Sequence, residues 1–262
     1  MSEHETTQTA RSGTGQDDGS SGGIREWLSR TARLLTGSTI SVAEYDPRRH
    51  GSLVEFDGLE GFEETDRYWV NAPFAFVSIN RDSETQAYRY QVVEPSLTDL
   101  ERDLLDRLYE DVRGPLLYRE EVADDPERAL REELRERLGD YGVTVGEASF
   151  YRLFYYLYRS FLGYGKIDPI MHDPHIEDIS CDGPNLPVFV YHDGYTDVET
   201  NVHFGSDALN NFVIQLAQRS GRHVSVSDPV VSTTLPDGSR IELALGEEVT
   251  PRGSAFTIRK YA

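Results

Sequence analysis

The chain has 262 residues and a formal net charge of −20, and 38% of its residues are hydrophobic. This hydrophobic content is sufficient for one large or two modest domains with a packed core, so disorder of the whole chain is excluded. The strong acidity argues against a nucleic-acid-binding protein, because neutralising phosphates requires a basic surface.

The basic residues are almost all arginines, since Lys166 and Lys260 are the two lysines. An acid excess spread along the chain with little lysine favours a halophilic protein from a high-salt cytoplasm, and the alternative is an ordinary acidic cytosolic protein. Cys181 is the single cysteine, which excludes an internal disulfide and indicates a cytoplasmic location. Because no apolar run approaches the roughly 20 residues that span a bilayer, we expect membrane association to be peripheral, through partners.

The first predicted domain follows a polar tail. Residues 1–23 are rich in Ser, Thr, Gly, Gln and acid and predict a disordered tail, and an apolar stripe over residues 24–35 predicts a helix. Residues 24–145 are predicted to form domain 1, which combines helices with a β-hairpin. Arg67–Asn80 and Tyr88–Val93 are the predicted hairpin strands, with a bend or an edge at Pro73.

Two further helices are predicted in domain 1. Ser96 and Asp99 form the expected N-terminal cap of the first, and Gly114-Pro115 its expected end. Its predicted apolar face consists of Leu97, Leu100, Leu104, Leu108 and Val112. The second, Pro126–Leu138, is so rich in Glu and Arg that we expect a solvated surface helix held by i,i+4 pairs.

Residues 146–262 are predicted to form domain 2, a small, mostly antiparallel sheet packed with helices, which gives an α+β fold with a PAS-like second domain. An aromatic stripe over Glu147–Leu162 favours a core-packing helix. Short strands are predicted at Ile176–Cys181, Val188–His192 and Asn201–Phe204, and a helix begins at Ser206 and ends at Gly221. Two β runs then flank residues 235–240, and a third covers Ala255–Ile258.

Several chemically suggestive residues have a simpler interpretation. His172 and His175 have a metal-site spacing, but Pro174 interrupts any helix and no further ligands cluster nearby, so no metal site is predicted. Cys181 lies in an apolar strand and is expected to be a buried small residue. Gly163–Lys166 resembles a phosphate loop only superficially, because the pattern G-x-x-x-x-G-K-[ST] occurs nowhere in the chain.

Three arginines near the end of the sequence form the strongest candidate site. Arg240, Arg252 and Arg259 lie at strand or turn edges of one small predicted sheet, where they would create a local positive site in an acidic chain. Guanidinium groups bind phosphate in a bidentate manner, so these arginines are candidate phosphate-sensing residues. The alternative is that they pair with neighbouring acids such as Asp237 or Glu242.

Seven segments together resemble the archaeal type II and type IV secretion-system ATPases, the GspE-like family. The resemblance spans about Arg67 to Lys260, and the order and spacing of the segments make it specific. The segments are RYWVNAPF (Arg67–Phe74), YQVVEP (Tyr90–Pro95), GKIDPIM (Gly165–Met171), HIEDISCDG (His175–Gly183), LAQRSG (Leu216–Gly221), LPDGSRI (Leu235–Ile241) and RGSAFTIRK (Arg252–Lys260).

The resemblance implies an N-terminal region of a homo-hexameric motor. In such proteins a C-terminal RecA-like domain carries the Walker motifs that hold ATP and Mg²⁺, and arginines from the N-terminal side approach the phosphates. It implies that Arg240 and Arg259, with Arg252 third, complete that site, and that the motor drives protein export or pilin assembly through a membrane platform protein. Because the chain ends where the motor domain is expected and lacks a P-loop, we expect no catalytic residues in it and no ATP hydrolysis by the chain alone.

Two alternatives belong to other functional classes. A stand-alone interaction module would dock on a secretion ATPase or on the membrane platform with no nucleotide role. A small-molecule sensor with a PAS-like layer would need an enclosed apolar pocket, which the sequence does not indicate.

Overall fold

The structure is a computed structural model that describes residues 45–118, 125–247 and 250–261. The predicted tail and the predicted helix over residues 24–35 lie outside these ranges. Within them the chain forms the predicted α+β fold. None of the helices in the described part is long and apolar enough to cross a membrane.

The strands come in three groups of three along the chain, separated by a block of helices and by one further helix. The helices are α1 (Pro47–His50), α2 (Asp99–Tyr118), α3 (Pro126–Asp140), α4 (Glu147–Phe161), α5 (Asp168–His172) and α6 (Ser206–Arg219). The strands are β1 (Phe62–Asn71), β2 (Ala75–Asp82), β3 (Tyr88–Val93), β4 (Ile176–Cys181), β5 (Pro187–His192), β6 (Thr196–His203), β7 (Val230–Thr234), β8 (Arg240–Ala244) and β9 (Ala255–Arg259).

The nine strands of the described residues form one sheet in the order β1-β2-β3-β6-β5-β4-β9-β8-β7. Neighbouring strands are antiparallel except β3 and β6, which pair in parallel at Arg89 with Glu199 and Tyr90 with Thr200. The amide of Asn201 extends this short ladder, because its Oδ1 accepts from Val92 N at 2.8 Å and its Nδ2 donates to Val92 O at 2.9 Å. The sheet therefore continues from the predicted domain 1 into the predicted domain 2, whose division remains a prediction.

Two hydrophobic clusters cover the sheet. One is built by α2, α3 and α4 against the ends of β2 and β3. The buried rings of Phe74 and Tyr155 stack in it, with centroids 5.0 Å apart, so the prediction of α4 as a core-packing helix is confirmed. The other cluster lies between the sheet and helices α5 and α6. This second cluster leaves the opposite face of β4, β5, β8 and β9 exposed along alternate residues.

The predicted hairpin is a three-stranded meander. The single strand expected over Arg67–Asn80 is two strands, β1 and β2, because residues 72–74 form a turn around Pro73. β6 begins at Thr196 rather than Asn201, since Val198, Thr200 and Val202 alternate inward and lengthen the strand. The predictions for β4, β5 and the three final strands are confirmed within one or two residues.

The predicted ends of α2 are wrong. Thr98 and Glu101 form the capping box: Glu101 N donates to Thr98 Oγ1 at 3.2 Å, and Thr98 N donates to Glu101 Oε2 at 2.7 Å. The T-x-x-E pattern was present two residues beyond the predicted cap at Ser96. The helix also continues through Pro115 to Tyr118, so here the proline removes one helical hydrogen bond but does not end the helix.

The surfaces of α2 and α3 also differ from the prediction. Leu100, expected on the apolar face of α2, is 64% exposed, and Leu105 is buried instead. α3 has the expected i,i+4 pairs, such as Arg128 with Glu132 at 2.8 Å, but one side of it is buried in the first cluster rather than fully solvated. α6 ends as predicted, with Gly221 at φ 72° and Arg222 N donating to Ala217 O at 2.9 Å.

Candidate functional site

Arg240 and Arg259 lie side by side on the exposed face of the sheet. β8 and β9 pair antiparallel with these two residues directly opposite each other, so both side chains lie on the same face. Arg259 also lies opposite Asp178 of β4, and its Nε donates to Asp178 Oδ1 at 2.9 Å. This hydrogen bond raises the pKa of Arg259. Among the described residues the side chain of Arg240 has no ion-pair or hydrogen-bond partner.

The structure places Arg252 away from this pair. It lies in the loop between β8 and β9, whereas Arg240 and Arg259 lie at the other end of these strands. Four residue steps along a strand separate the two ends by about 13 Å. Arg252 instead lies against the turn after β4, where a Cβ on Gly183 would be 3.0 Å from the Cβ of Arg252. The three predicted arginines therefore form a pair and a separate third residue.

The acid that pairs with Arg259 is not one of those expected from the sequence. Asp237 accepts a hydrogen bond from Ser239 N at 2.9 Å within its own turn, and Glu242 lies opposite Thr257. Asp178, the actual partner, is 81 residues from Arg259 in the sequence. The signal that could have found Asp178 is its place in a predicted strand, but the pairing of that strand with β9 is not a local property.

The turn that leads to Arg240 is held by the residues that follow β9. Leu235 N donates to Ser239 O at 2.8 Å, and Tyr261 N donates to Ser239 Oγ at 3.2 Å. Gly238 has φ 94°, and a Cβ there would be 3.1 Å from Cγ of Tyr261. Gly238 thus provides both the left-handed conformation and the space for the tyrosine ring. These contacts fix the position from which Arg240 leaves the turn.

Lys260 follows Arg259 at the end of β9, and its side chain lies on the interior side, next to the buried residue Asp173. Lys260 Nζ donates to the main-chain carbonyl of Asp173 and, at 3.5 Å, to that of Ile170, which satisfies carbonyls at the end of α5. The Asp173 carboxylate accepts from the hydroxyls of Tyr68 at 2.8 Å and Tyr90 at 2.6 Å. Burial, followed by the charge of Asp173, raises the pKa of both tyrosines, so they remain neutral donors.

The histidines near Asp173 have separate partners. His175 Nδ1 lies 3.0 Å from Asp193 Oδ2, and His172 Nδ1 lies 2.8 Å from the main-chain oxygen of Asp168. His175 also stacks on the buried ring of His192, with centroids 5.4 Å apart. Within residues 45–118, 125–247 and 250–261, no group of three or more His, Cys, Asp and Glu residues is arranged to hold a metal ion. Cys181 is buried as predicted, and burial raises the pKa of its thiol.

A second buried polar cluster joins α4 to α5 and α6. Arg159 forms an ion pair with Glu94, which also accepts from the Tyr155 hydroxyl at 2.6 Å. Asp168 is fully buried, and its Oδ1 accepts from Tyr164 N at 2.7 Å. Burial raises the pKa of Asp168 and lowers that of Arg219, whose guanidinium lies 5.2 Å from the ring centroid of Tyr164. No local sequence pattern predicts this cluster.

Lys166, in the segment that superficially resembles a phosphate loop, is bound to the protein. Its Nζ donates to the main-chain oxygen of His203 at 3.0 Å and lies 5.5 Å from the ring centroid of Phe204. Both lysines of the chain therefore bind main-chain carbonyls. Among the described residues, the guanidinium groups of Arg240 and Arg252 have no ion-pair or hydrogen-bond partner and face solvent. The guanidinium of Arg259 instead pairs with the partly exposed carboxylate of Asp178.

Comparisons with known proteins find related sequences and similar solved structures. The family model for the PilB3-like N-terminal domain matches residues 22–96. The uncharacterized protein MJ1288 of Methanocaldococcus jannaschii is 37% identical over 199 residues, which are 75% of this chain and 77% of MJ1288. The uncharacterized protein MJ0900 of the same organism is 32% identical over 219 residues, but the match covers only 39% of that longer protein.

One of the solved structures is the VirB11 ATPase from the Brucella suis type IV secretion system, in complex with sulphate. It is 24% identical over 37% of this chain and 30% of that chain, with a TM-score of 0.31. A TM-score of this size does not establish a common fold.

Proposed function

The chain belongs to the family of MJ1288 and is related to PilB3-like N-terminal domains over residues 22–96, and from this premise we propose that it is the N-terminal part of a secretion or pilus-assembly ATPase. In this proposal a C-terminal RecA-like domain binds ATP and Mg²⁺, and Arg240 and Arg259 complete the site from the side of this chain. The full-length protein assembles as a hexamer in the cytoplasm. It couples hydrolysis to export or pilin assembly through a membrane platform protein.

The observation that carries the proposal is the direct opposition of Arg240 and Arg259 across β8 and β9. Like charges at opposite cross-strand positions destabilise a sheet. Among the described residues Asp178 is the carboxylate that pairs with either arginine, and it offsets one charge only. The remaining charge belongs to Arg240 on an exposed face of a chain with a net charge of −20. Such a pair is suited to bind an anion with several oxygens, such as the phosphates of a nucleotide.

ATP hydrolysis by the chain together with its RecA-like domain tests the proposal. We expect Arg240→Ala and Arg259→Ala each to lower turnover by about 100-fold. Removing one hydrogen-bond donor to a charge that develops in the transition state lowers kcat by about this factor. Arg252→Ala is the matched control, because this exposed arginine lies at the other end of the same hairpin and should leave turnover unchanged. Normal turnover in both Arg240→Ala and Arg259→Ala would contradict the role of the pair.

A fourth variant separates a phosphate contact from a structural ion pair. Asp178→Ala removes the partner of Arg259 but leaves its guanidinium free to bind phosphate. If Arg259 acts on the nucleotide, Asp178→Ala retains turnover while Arg259→Ala loses it. If the ion pair only stabilises the sheet, the two variants lose turnover equally.

The alternative function, a docking module with no nucleotide role, is favoured by two exposed aromatic rings. Phe189 and Tyr191 of β5 are 38% and 39% exposed. Tyr191 lies opposite Asp178, so the rings share the exposed face with the arginine pair. If Phe189→Ser and Tyr191→Ser abolish binding to the ATPase domain while the arginine variants hydrolyse ATP normally, the docking role is the correct one.

A further inference from the structure

We propose that β7, one of the two edge strands of the sheet, is a self-association surface that pairs antiparallel with β7 of a second copy of this chain. This surface is distinct from the arginine pair and does not depend on a nucleotide role. The proposal rests on the difference between the two edges, on the direction of the free backbone groups of β7, and on the charges that self-pairing brings together.

The sheet of the described residues has β1 at one edge and β7 at the other. β1 carries the acids Glu63, Glu64 and Asp66, and its pairing with β2 has two register irregularities. Charges and irregularities of this kind prevent an edge from pairing with another chain. β7 has the sequence VVSTT, carries no charge, and pairs with β8 in continuous register over all five residues. Only β1 has the features that prevent further strand addition.

The backbone of β7 presents donors and acceptors to its open side. Leu235 N donates to Ser239 O and Leu245 N donates to Pro229 O, each at 2.8 Å. The backbone N–H and C=O groups of the odd-numbered residues in this segment therefore point toward β8. Because hydrogen-bonding direction alternates along a strand, the N–H and C=O groups of Val230, Ser232 and Thr234 point away from β8. No described residue forms a backbone hydrogen bond with them. The open side therefore offers a ladder for one further strand.

The side chains beside this ladder are apolar or neutral. Val230 is 52% exposed, and Val226, in the turn before the strand, is 72% exposed. Exposed valines next to an open strand edge are unfavourable in a monomer and favourable when a second strand covers them. An added strand would therefore gain both main-chain hydrogen bonds and apolar burial.

The charge distribution indicates that the added strand is a second copy of β7. In an antiparallel pair centred on Ser232, each Ser232 faces its symmetry mate and Val230 faces Thr234 of the partner. The nearest acid, Asp228, faces Pro236. The pairing thus brings no two carboxylates directly opposite each other, although each chain has a net charge of −20. A twofold pairing of this kind also uses up both β7 edges, whereas pairing β7 with β1 would leave free edges and extend into a fibre.

Salt dependence is a consequence of this arrangement. Two copies with a charge of −20 repel each other at long range, while the contact itself is neutral. Screening shortens the Debye length from about 10 Å at 0.1 M salt to about 3 Å at 1 M. We therefore expect the dimer dissociation constant to fall by about tenfold over this range, opposite to the behaviour of an interface built on ion pairs.

Cysteine cross-linking tests the geometry. In the 262-residue chain, Ser232→Cys places two thiols across a hydrogen-bonded pair with Cα atoms about 5.5 Å apart, which a disulfide can bridge. The native Cys181 is buried and does not compete. Thr257→Cys is the matched control, because this residue is exposed on the central strand β9. We expect an oxidised dimer of Ser232→Cys only. Equal cross-linking of both variants, or of neither, would overturn the proposal.

Light scattering on the chain without cysteine substitutions tests the association itself. We expect a concentration-dependent dimer at 1 M salt, and a monomer for Ser232→Lys, whose charge would face its own symmetry mate. Circular dichroism of Ser232→Lys confirms that it is folded. A monomer at all concentrations and salts, or a Ser232→Lys variant that dimerises like the parent chain, excludes self-pairing. Pairing of β7 with an extended peptide of another protein would also exclude the second copy as its partner.

Discussion

The cations inside the protein and those on its exposed sheet face have different surroundings. Arg159, Arg219 and Lys260 are inside, and each is bound to a carboxylate, an aromatic ring or main-chain carbonyls of another element. Arg240 and Arg259 are outside, and among the described residues Asp178 is the carboxylate that pairs with either of them, on the side of Arg259 away from Arg240. In an acid-rich chain the interior cations hold elements together, while the exterior guanidinium of Arg240 has no partner among the described residues. The comparison predicts large stability effects inside and large functional effects outside.

Removing an interior cation is expected to have the largest effect on stability. Arg159→Ala leaves the carboxylate of Glu94 without its ion-pair partner in a largely buried position. Breaking a buried pair on one side costs about 3–5 kcal/mol, and we expect about 3 kcal/mol because Tyr155 still donates to Glu94. Denaturant unfolding measures this loss in the free energy of unfolding.

Arg102→Ala is the matched control for that measurement. Arg102 pairs with Asp99 at 2.5 Å, but both side chains are largely exposed. An exposed pair is worth about 0–1 kcal/mol, so the control should remain close to the parent protein. If both variants lose the same stability, the distinction between interior and exterior arginines is wrong.

A glycine beside the interior cluster provides the next largest effect. A Cβ on Gly163 would lie 2.2 Å from Asp168 Oδ1 and 2.9 Å from the backbone Cα of Arg159. Because neither the buried carboxylate nor the helix backbone can move freely, we expect Gly163→Ala to lower the free energy of unfolding by about 2 kcal/mol. Thermal and denaturant unfolding measure this loss.

Gly139→Ala is the control, since the new methyl group in α3 has nothing within 4 Å. Alanine should stabilise this helix by about 0.5–1 kcal/mol. A neutral or stabilising Gly163→Ala would show that the Asp168 cluster is loosely packed and does not join α4 to α5 and α6.

The difference between the interior contacts and the exposed sheet face also decides how much of the structure could be predicted from the sequence. Gly221, the strand at Ile176–Cys181 and the final hairpins follow from local patterns of turn residues and alternation, and these predictions are confirmed. The T-x-x-E cap at Thr98 was equally local and was simply missed. The pair Arg240 and Arg259 was named from the sequence, but the separation of Arg252 required the register of β8 and β9.

The interior contacts could not be predicted from the sequence, because they join residues far apart along the chain. Tyr68 and Asp173 are 105 residues apart, and Glu94 and Arg159 are 65 apart. Each partner lies in a segment whose local pattern is satisfied without the contact. The parallel pairing of β3 with β6, which makes one sheet of the two predicted regions, is non-local for the same reason.

Two stacked histidines extend the comparison to pH. Burial lowers the pKa of His192, whereas the hydrogen bond to Asp193 raises the pKa of the half-exposed His175. We therefore expect His175 to become protonated first as pH falls, and His192 only at lower pH. An NMR titration of the two imidazole rings measures this order, and the reverse order would contradict the assignment of His192 to the interior.

The two histidines have opposite effects on stability. Because the pKa of His192 is lower in the folded state, the unfolded state binds a proton at this residue more readily. The stability that the neutral His192 contributes is therefore lost as pH falls below about 6.5. The raised pKa of His175 contributes stability that is present at low pH and lost as pH rises. His175→Asn should therefore make the loss of stability between pH 7.5 and 5.5 steeper, as measured by denaturant unfolding. A shallower loss would show that His175 does not offset His192.

The smallest stability effect is expected at the exterior pair. Arg240→Gln removes the charge that faces Arg259 and breaks no hydrogen bond among the described residues, so the free energy of unfolding should rise by about 0.2–0.5 kcal/mol at low salt. The gain should vanish at 1 M salt, because screening removes the repulsion between exposed charges. Denaturant unfolding at both salt concentrations measures it. A loss of about 1 kcal/mol or more would mean that Arg240 holds the sheet together, and Arg240 would then belong with the interior arginines rather than with a binding site. A small gain combined with a large loss of ATP turnover in the presence of the RecA-like domain is what a residue kept for binding at a cost in stability must show.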